Sequence, residues 1–134
     1  GAEGVNMGTR FVATKECSAH DNVKKALVNA TENDTQLIMR SLQNTERALR
    51  TPVTEKVVAI EATGTATFED IRQYVMGSEG IKVTRDGEMD KGFFAAGEIV
   101  GLIHDIPTVQ ELFDQMISDA EAIVNQRLPN IVNN

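Results

Sequence analysis

The residues whose types and spacing come nearest to chemistry are Met7-Gly8-Thr9. A glycine closing a strand lets main chain approach an anion with no Cβ in the way. Amide N–H groups there, joined by the Thr9 hydroxyl, can donate to phosphate oxygens. In barrel enzymes the phosphate site commonly follows the last strands. Taken alone, a Gly-Thr pair also serves as an ordinary strand-ending turn. The run from Gly1 to Phe11 reads as a short buried strand that enters this turn. A strand needs neighbours on its hydrogen-bonding edges, so the expectation is a piece of a larger protein, beginning inside a sheet whose other strands lie elsewhere.

Other reactive groups are sparse. His20 stands at a helix start, where capping is the simpler role than general base catalysis, which needs an orienting partner. His104 suits a helix C-terminus, where the dipole favours a cation. Two histidines so far apart give no metal-ligand spacing. The single Cys17 excludes an intrachain disulfide and a cysteine-rich metal site, and it reads as a buried structural thiol rather than a nucleophile. Arg40, on an otherwise apolar stretch, is expected either to pair with a carboxylate or to face a substrate cleft. Met39 and Met76 read as core filler, and Glu88, Asp90 and Glu98 as a solvated acidic face.

The 134 residues suffice for one domain with its own core and are too few for a typical complete (β/α)8 barrel. Apolar residues make up 41% and aromatics 4%, with no Trp, so the core must be built from aliphatic side chains. The net charge of −7 argues against a nucleic-acid or anionic-membrane surface. No apolar run is long enough to span a membrane. A reduced, cytoplasmic setting fits the cysteine usage.

These reactive groups must be positioned by a mainly helical α+β arrangement. Ser18-Ala19-His20-Asp21 opens a helix whose apolar positions are Val23, Ala26, Leu27 and Ala30, with Lys24 and Lys25 on the other face. Thr35–Leu42 reads as a strand. Thr45 then caps a short helix through Leu49, and Thr54 caps another over Glu55–Glu61 with Val57, Val58 and Ile60 inward. After a small-residue linker at Ala62–Ala66, Thr67 caps a helix through Met76, with Gly77 as its stop. Gly77–Gly92 reads as a surface loop with a turn at Asp86-Gly87 and a short hairpin around Ile81–Val83. Phe93–Ile103 reads as an apolar helix with a small-residue face. Thr108-Val109-Gln110-Glu111 is a capping box. The helix behind it is expected to run to about Arg127 on a wide apolar stripe from Val109 to Val124, ended by Leu128-Pro129 with a frayed tail at Asn130–Asn134.

Three blocks carry a wider resemblance: Met7-Gly8-Thr9-Arg10-Phe11 with Ala13-Thr14-Lys15-Glu16-Cys17 and Ala19-His20; Asp34 to Leu42; and Ala96-Gly97 continuing through Gly101-Leu102-Ile103-His104-Asp105-Ile106-Pro107-Thr108-Val109. Together and in this order they resemble the nitronate monooxygenase (2-nitropropane dioxygenase) family. The resemblance implies an FMN-dependent (β/α)8 TIM barrel that oxidises alkyl nitronates with dioxygen and carries a small, mainly helical domain after its eighth strand. It implies that residues 1–17 are the last barrel strand and the FMN-phosphate turn, 18–92 the inserted domain, and 93–134 the returning C-terminal helices. Gly8 and Thr9 then match the phosphate turn, with Met7 beside it, and the catalytic histidine would lie upstream of this chain. The related FMN-dependent enoyl-ACP reductases share these blocks. From a different class, a stand-alone helical oligomerisation module would reuse the same apolar faces. Two further expectations follow: weak or absent FMN binding by this chain alone, and self-association through its unpaired strand and helix faces.

Overall fold

A computed structural model describes residues 2–132. The architecture is α+β and mainly helical, with one small sheet. A single helical turn, α1 (Thr9–Val12), leads to α2 (Asp21–Asn29). The antiparallel pair β1 (Thr35–Ile38) and β2 (Glu46–Leu49) follows, in a register that sets Thr35 against Leu49 and Ile38 against Glu46. Three helices come next: α3 (Pro52–Glu61), α4 (Phe68–Val75) and α5 (Gly77–Asp86). A 3-10 helix at Glu98–Leu102 precedes α6 (Val109–Ala122), which runs through a π-helical turn at Ile123–Arg127 into α7 (Leu128–Val132).

The sheet divides the interior. Adjacent residues on a strand point to opposite faces, and β2 uses this directly. Leu49 joins a core with Ala13, Leu27, Ala96, Val100 and Ile103. Ala48 joins a second core with Ile38, Met39, Val57 and Ile71. The second core seats α3 and α4; the first seats α2 and the 3-10 helix.

Several sequence expectations hold. Thr108 and Glu111 form a reciprocal capping box at α6, and Thr67 with Asp70 forms another at α4. His20 is the N-cap of α2: its Nδ1 accepts the Asn22 N–H at 3.1 Å. Gly87, at φ 72°, ends α5 in the left-handed conformation that glycine tolerates.

Others are corrected. Residues around Val5 form no strand; Val5 is 78% exposed, because no partner strand stands beside it to satisfy a ladder. The stretch after Thr45 is β2 rather than a helix. Its main chain is claimed on both edges, by β1 on one side and by an antiparallel bridge to Ala95 on the other. That same pairing, with Leu49 donating to Phe94 O and Ala96 donating to Arg47 O, holds Phe93–Gly97 extended instead of helical. The strand at Thr35 stops at Ile38, short of Leu42. Thr51, not Thr54, is the N-cap of α3, and Thr54 is its capping-box partner; of the expected inward residues Val57 is buried and Val58 exposed.

Residues 77–86 are helical rather than a loop with a hairpin. Val83 is buried, Lys82 bridges to Glu79 at 2.8 Å, and Gly92 lies so close to the Glu79 main chain that a Cβ would meet its carbonyl carbon at 2.8 Å. Gly77 therefore starts α5 instead of stopping α4. Lys24, expected outside, is buried, with its ammonium donating to Lys15 O at 3.3 Å. Met76 is exposed rather than core filler, whereas Met39 is buried. The helical run from α6 passes Pro129 and reaches Val132, because proline fits the first turn of α7. The remainder of the expected tail, Asn133–Asn134, lies outside the described residues. Within the expected wide stripe of α6 only Leu112 is buried, while Phe113, Ile117 and Val124 stand in solvent.

Candidate functional site

Gly8 is the residue before α1, and its carbonyl accepts from the N–H groups of Phe11 and Val12 at 3.0 and 3.2 Å. This turns the chain and leaves the first amides of the helix pointing outward. Among the described residues no acceptor takes the N–H of Gly8, Thr9 or Arg10. A Cβ placed on Gly8 would have no atom within 4 Å, so the space over the turn is open. Met7, which precedes it, is 39% exposed.

The turn is held from behind by contacts across the whole chain. The Gly97 N–H donates to the Thr9 hydroxyl oxygen at 3.1 Å, which leaves the hydroxyl proton for another acceptor. Arg10 reaches away from the turn to Asp105, at 2.7 Å to its carboxylate and 3.2 Å to its carbonyl. Lys15 donates its amide to Pro107 O at 2.9 Å. The Glu16 carboxylate accepts the Val109 N–H at 3.0 Å, adding a second acceptor to the start of α6. The Phe11 and Phe113 rings meet at 5.7 Å, tilted by 53°. Residues 9–16 are thus laced onto 97–113, and the Gly8–Thr9 turn sits on a rigid support.

An open glycine, free main-chain donors and a hydroxyl with an available proton are the donor set that suits a phosphate. The three residues singled out from the sequence are contiguous and present these groups together, though from a helical turn rather than from the end of a strand. The support behind them was not legible. Thr9 and Gly97 are distant in sequence, and no local pattern joins them. The small-residue character of Ala95, Ala96 and Gly97 was the one available signal.

The remaining candidates fall elsewhere. Cys17 is half-buried rather than fully buried. His104 is exposed and lies beyond the end of the 3-10 helix. Arg40 is exposed in the β1–β2 connection and, among the described residues, makes no ion pair; the expected carboxylate partnership is absent. Glu88 and Asp90 are solvated, while Glu98 accepts from Arg47 at 2.9 Å. Among the described residues no cluster of His, Cys, Asp and Glu could hold a metal ion, and no helix is long and apolar enough to cross a membrane. The carboxylates with shifted titration are structural. Main-chain and hydroxyl hydrogen bonds from Thr108, then Lys15, hold Glu111 below its ordinary range, and those from Thr67 do the same for Asp70.

Comparison with known proteins adds three findings. A family model described as nitronate monooxygenase matches residues 1–119. A curated protein of Mycobacterium tuberculosis, (3aS,4S,5R,7aS)-5-hydroxy-7a-methyl-1-oxo-octahydro-1H-indene-4-carboxyl-CoA dehydrogenase, is 25% identical, over 90% of this chain and 44% of its own length. Its counterpart of the same name in Rhodococcus jostii is 23% identical over the same shares. The solved structure of FabK from Thermotoga maritima superposes with a TM-score of 0.86 at 28% identity, covering 97% of this chain and 40% of FabK. A point variant of that FabK gives 0.76 at the same identity. The chain therefore spans less than half the length of the proteins it matches.

Proposed function

Since the chain belongs to the nitronate monooxygenase family, we propose that it is part of a longer FMN-dependent oxidoreductase built on a (β/α)8 barrel, in which the Gly8–Thr9 turn seats the flavin phosphate. The observation that carries this reading is the turn itself: open over Gly8, with unclaimed amide donors, and braced through Thr9 by Gly97. In the longer protein Gly8 lets the phosphate approach main chain, and the amides of Gly8, Thr9 and Arg10 donate to its oxygens. The Thr9 hydroxyl adds one donor while its oxygen stays fixed by Gly97. Arg10, committed to Asp105, serves to hold the turn rather than to neutralise the phosphate. Met7 borders the turn and contributes apolar contact. FMN, when bound, supplies the electron transfer; the residues reacting with substrate belong to parts of the protein outside this chain.

The reaction we propose first is oxidation of alkyl nitronates with dioxygen, in a soluble, cytoplasmic enzyme. A second reading, oxidation or reduction of acyl thioesters with a nicotinamide partner, is favoured by one specific observation. The two curated relatives reported above are named carboxyl-CoA dehydrogenases. One experiment separates the two. A family-length protein containing this chain is purified with its flavin. Dioxygen uptake is followed with an alkyl nitronate, and nicotinamide turnover with a medium-chain acyl thioester. Nitronate-dependent uptake alone supports the first reading, thioester-dependent turnover alone supports the second, and absence of flavin removes both.

A further inference from the structure

A second feature of the molecule shares no residue with the Gly8–Thr9 turn. The seven residues joining β1 to β2 form a closed, over-determined loop. Gln43 donates its amide to Arg40 O at 3.2 Å, and Asn44 donates to Met39 O at 3.3 Å. Met39 and Gln43 are the non-glycine residues that take positive φ, at 57° and 55°, among the described residues. Conformations of this kind persist only where the surroundings enforce them, and they concentrate at functional sites. Here the enforcement is visible. The Met39 side chain is buried in the core, and Glu61 at the end of α3 clamps the loop. Its carboxylate accepts the Met39 N–H at 2.8 Å on one oxygen, and the Ser41 N–H at 2.9 Å and Ser41 hydroxyl at 2.7 Å on the other.

This loop presents Arg40. In a chain of net charge −7, Arg10, Arg47, Arg72 and Arg85 each pair with a carboxylate. Among the described residues Arg40, like Arg50 and Arg127, does not, although Glu61 lines the same cleft. The reason is local: both Glu61 oxygens are engaged by the loop's own donors. An exposed arginine with no carboxylate partner, carried on a clamped backbone, keeps its forked set of donors for an external anion. Beside it lies a shallow cleft of about 440 Å3 whose wall is apolar at Leu37, Val58 and Ala62.

We propose that Arg40 is the anion-recognising residue of a second binding site, which takes the carboxylate or phosphate end of a small molecule whose apolar portion lies against Leu37, Val58 and Ala62. Both parts are required. The guanidinium selects the charged end, and the negative charge of Glu61 in the same cleft disfavours that end anywhere but at Arg40.

The test uses the full 134-residue chain, labelled with 15N and titrated with octanoate, octyl phosphate, 1-octanol and inorganic phosphate while amide shifts are followed. The expected result is saturable movement confined to residues 37–42 and 58–62 with octanoate or octyl phosphate. Affinity should be at least tenfold weaker for octanol and for inorganic phosphate. Whichever of octanoate and octyl phosphate binds more tightly names the anion source. Arg40→Ala should weaken binding at least tenfold while leaving the amide shifts of residues 39–44 in the free protein near their native positions, and Arg40→Lys should recover part of it. Octanol binding as tightly as octanoate, inorganic phosphate binding as tightly as octyl phosphate, unchanged affinity in Arg40→Ala, or no saturable shift would each overturn the proposal. A Gly8→Val variant provides the separation from the flavin reading, since its octanoate or octyl phosphate affinity should equal that of the native chain.

Discussion

Gly87→Ala should destabilise the chain through two separable effects that meet at one histidine. Gly87 closes α5 at φ 72°, where an L-residue costs about 1–2 kcal/mol relative to glycine. A Cβ built there would also enter the His20 ring, touching Nδ1 and lying 2.6 Å from Cε1 and 2.7 Å from Cγ. That ring cannot stay. When it swings away, Nδ1 no longer accepts the Asn22 N–H, and α2 loses its N-cap, worth about 1 kcal/mol. The Asn22 amide bond to Gly87 O at 3.1 Å is strained at the same time. The sum is roughly 2–3 kcal/mol, read from urea unfolding followed by far-ultraviolet circular dichroism. The cycle with His20→Ala isolates the mechanism. In that background the cap is already gone and the space is vacant, so Gly87→Ala should cost only about 1–2 kcal/mol. The two substitutions should therefore be non-additive by about 1 kcal/mol or more. Equal cost in both backgrounds, or a total below about 0.5 kcal/mol, would refute the reasoning.

Two other outcomes follow from the same structure. Glu111 and Asp70 are held below their ordinary values of 4.5 and 3.8 by hydrogen bonds from Thr108 and Thr67. A depressed folded-state value means that their contribution is present above the ordinary value and is lost as pH falls through the folded one. Stability measured by thermal unfolding should thus begin to fall as pH drops below about 4.5, and Asp70→Asn should flatten part of that fall; an identical acid slope in the variant would contradict the assignment. The exposed Phe113, Ile117, Val124, Leu128 and Ile131 recur along α6 and its continuation, and covering a few hundred Å2 of such surface is worth several kcal/mol at about 25 cal/mol per Å2. Self-association of this chain is therefore expected in sedimentation equilibrium at micromolar concentration, weakened by Ile117→Asp; a monomer throughout that range would exclude it.

Features set by neighbouring residues were legible in advance, and those set by distant pairing were not. The Thr67 cap, the Thr108 capping box and the turn at Asp86-Gly87 depend on a few adjacent residues, and they stand where the pattern placed them. Glu46–Leu49 is a strand because β1 and Ala95 both claim its main chain, and the same demand draws Phe93–Gly97 out of its apparent helix. Propensity is a weak prior that such pairing overrides. Gly77 and Gly80 made α5 look like a loop, yet burial of Val83 and the close seat of Gly92 against Glu79 sustain a helix. The strand expected before Gly8 needed partners that this chain does not supply. At the candidate site the Met7-Gly8-Thr9 pattern was readable from residue types alone. Its bracing by Gly97, and the ion pair of Arg10 with Asp105, came only with tertiary contacts. The buried Lys24 was misplaced because periodicity ignores a lysine stem that packs inward while its ammonium finds a carbonyl.

The central claim is that the Gly8–Thr9 turn receives the phosphate of FMN, and the flavin content of a Gly8→Val variant tests it most directly. Valine there meets no atom of the surrounding chain within 4 Å at its Cβ, so the fold should tolerate it while the side chain fills the space a phosphate would enter. The measurement is the ratio of flavin absorbance to protein in a family-length protein purified with and without the substitution, alongside circular dichroism. The account predicts stoichiometric flavin in the native protein and loss of nearly all of it in the variant, with unchanged secondary structure. Full flavin content in a folded Gly8→Val protein would contradict it and remove this turn from the cofactor site.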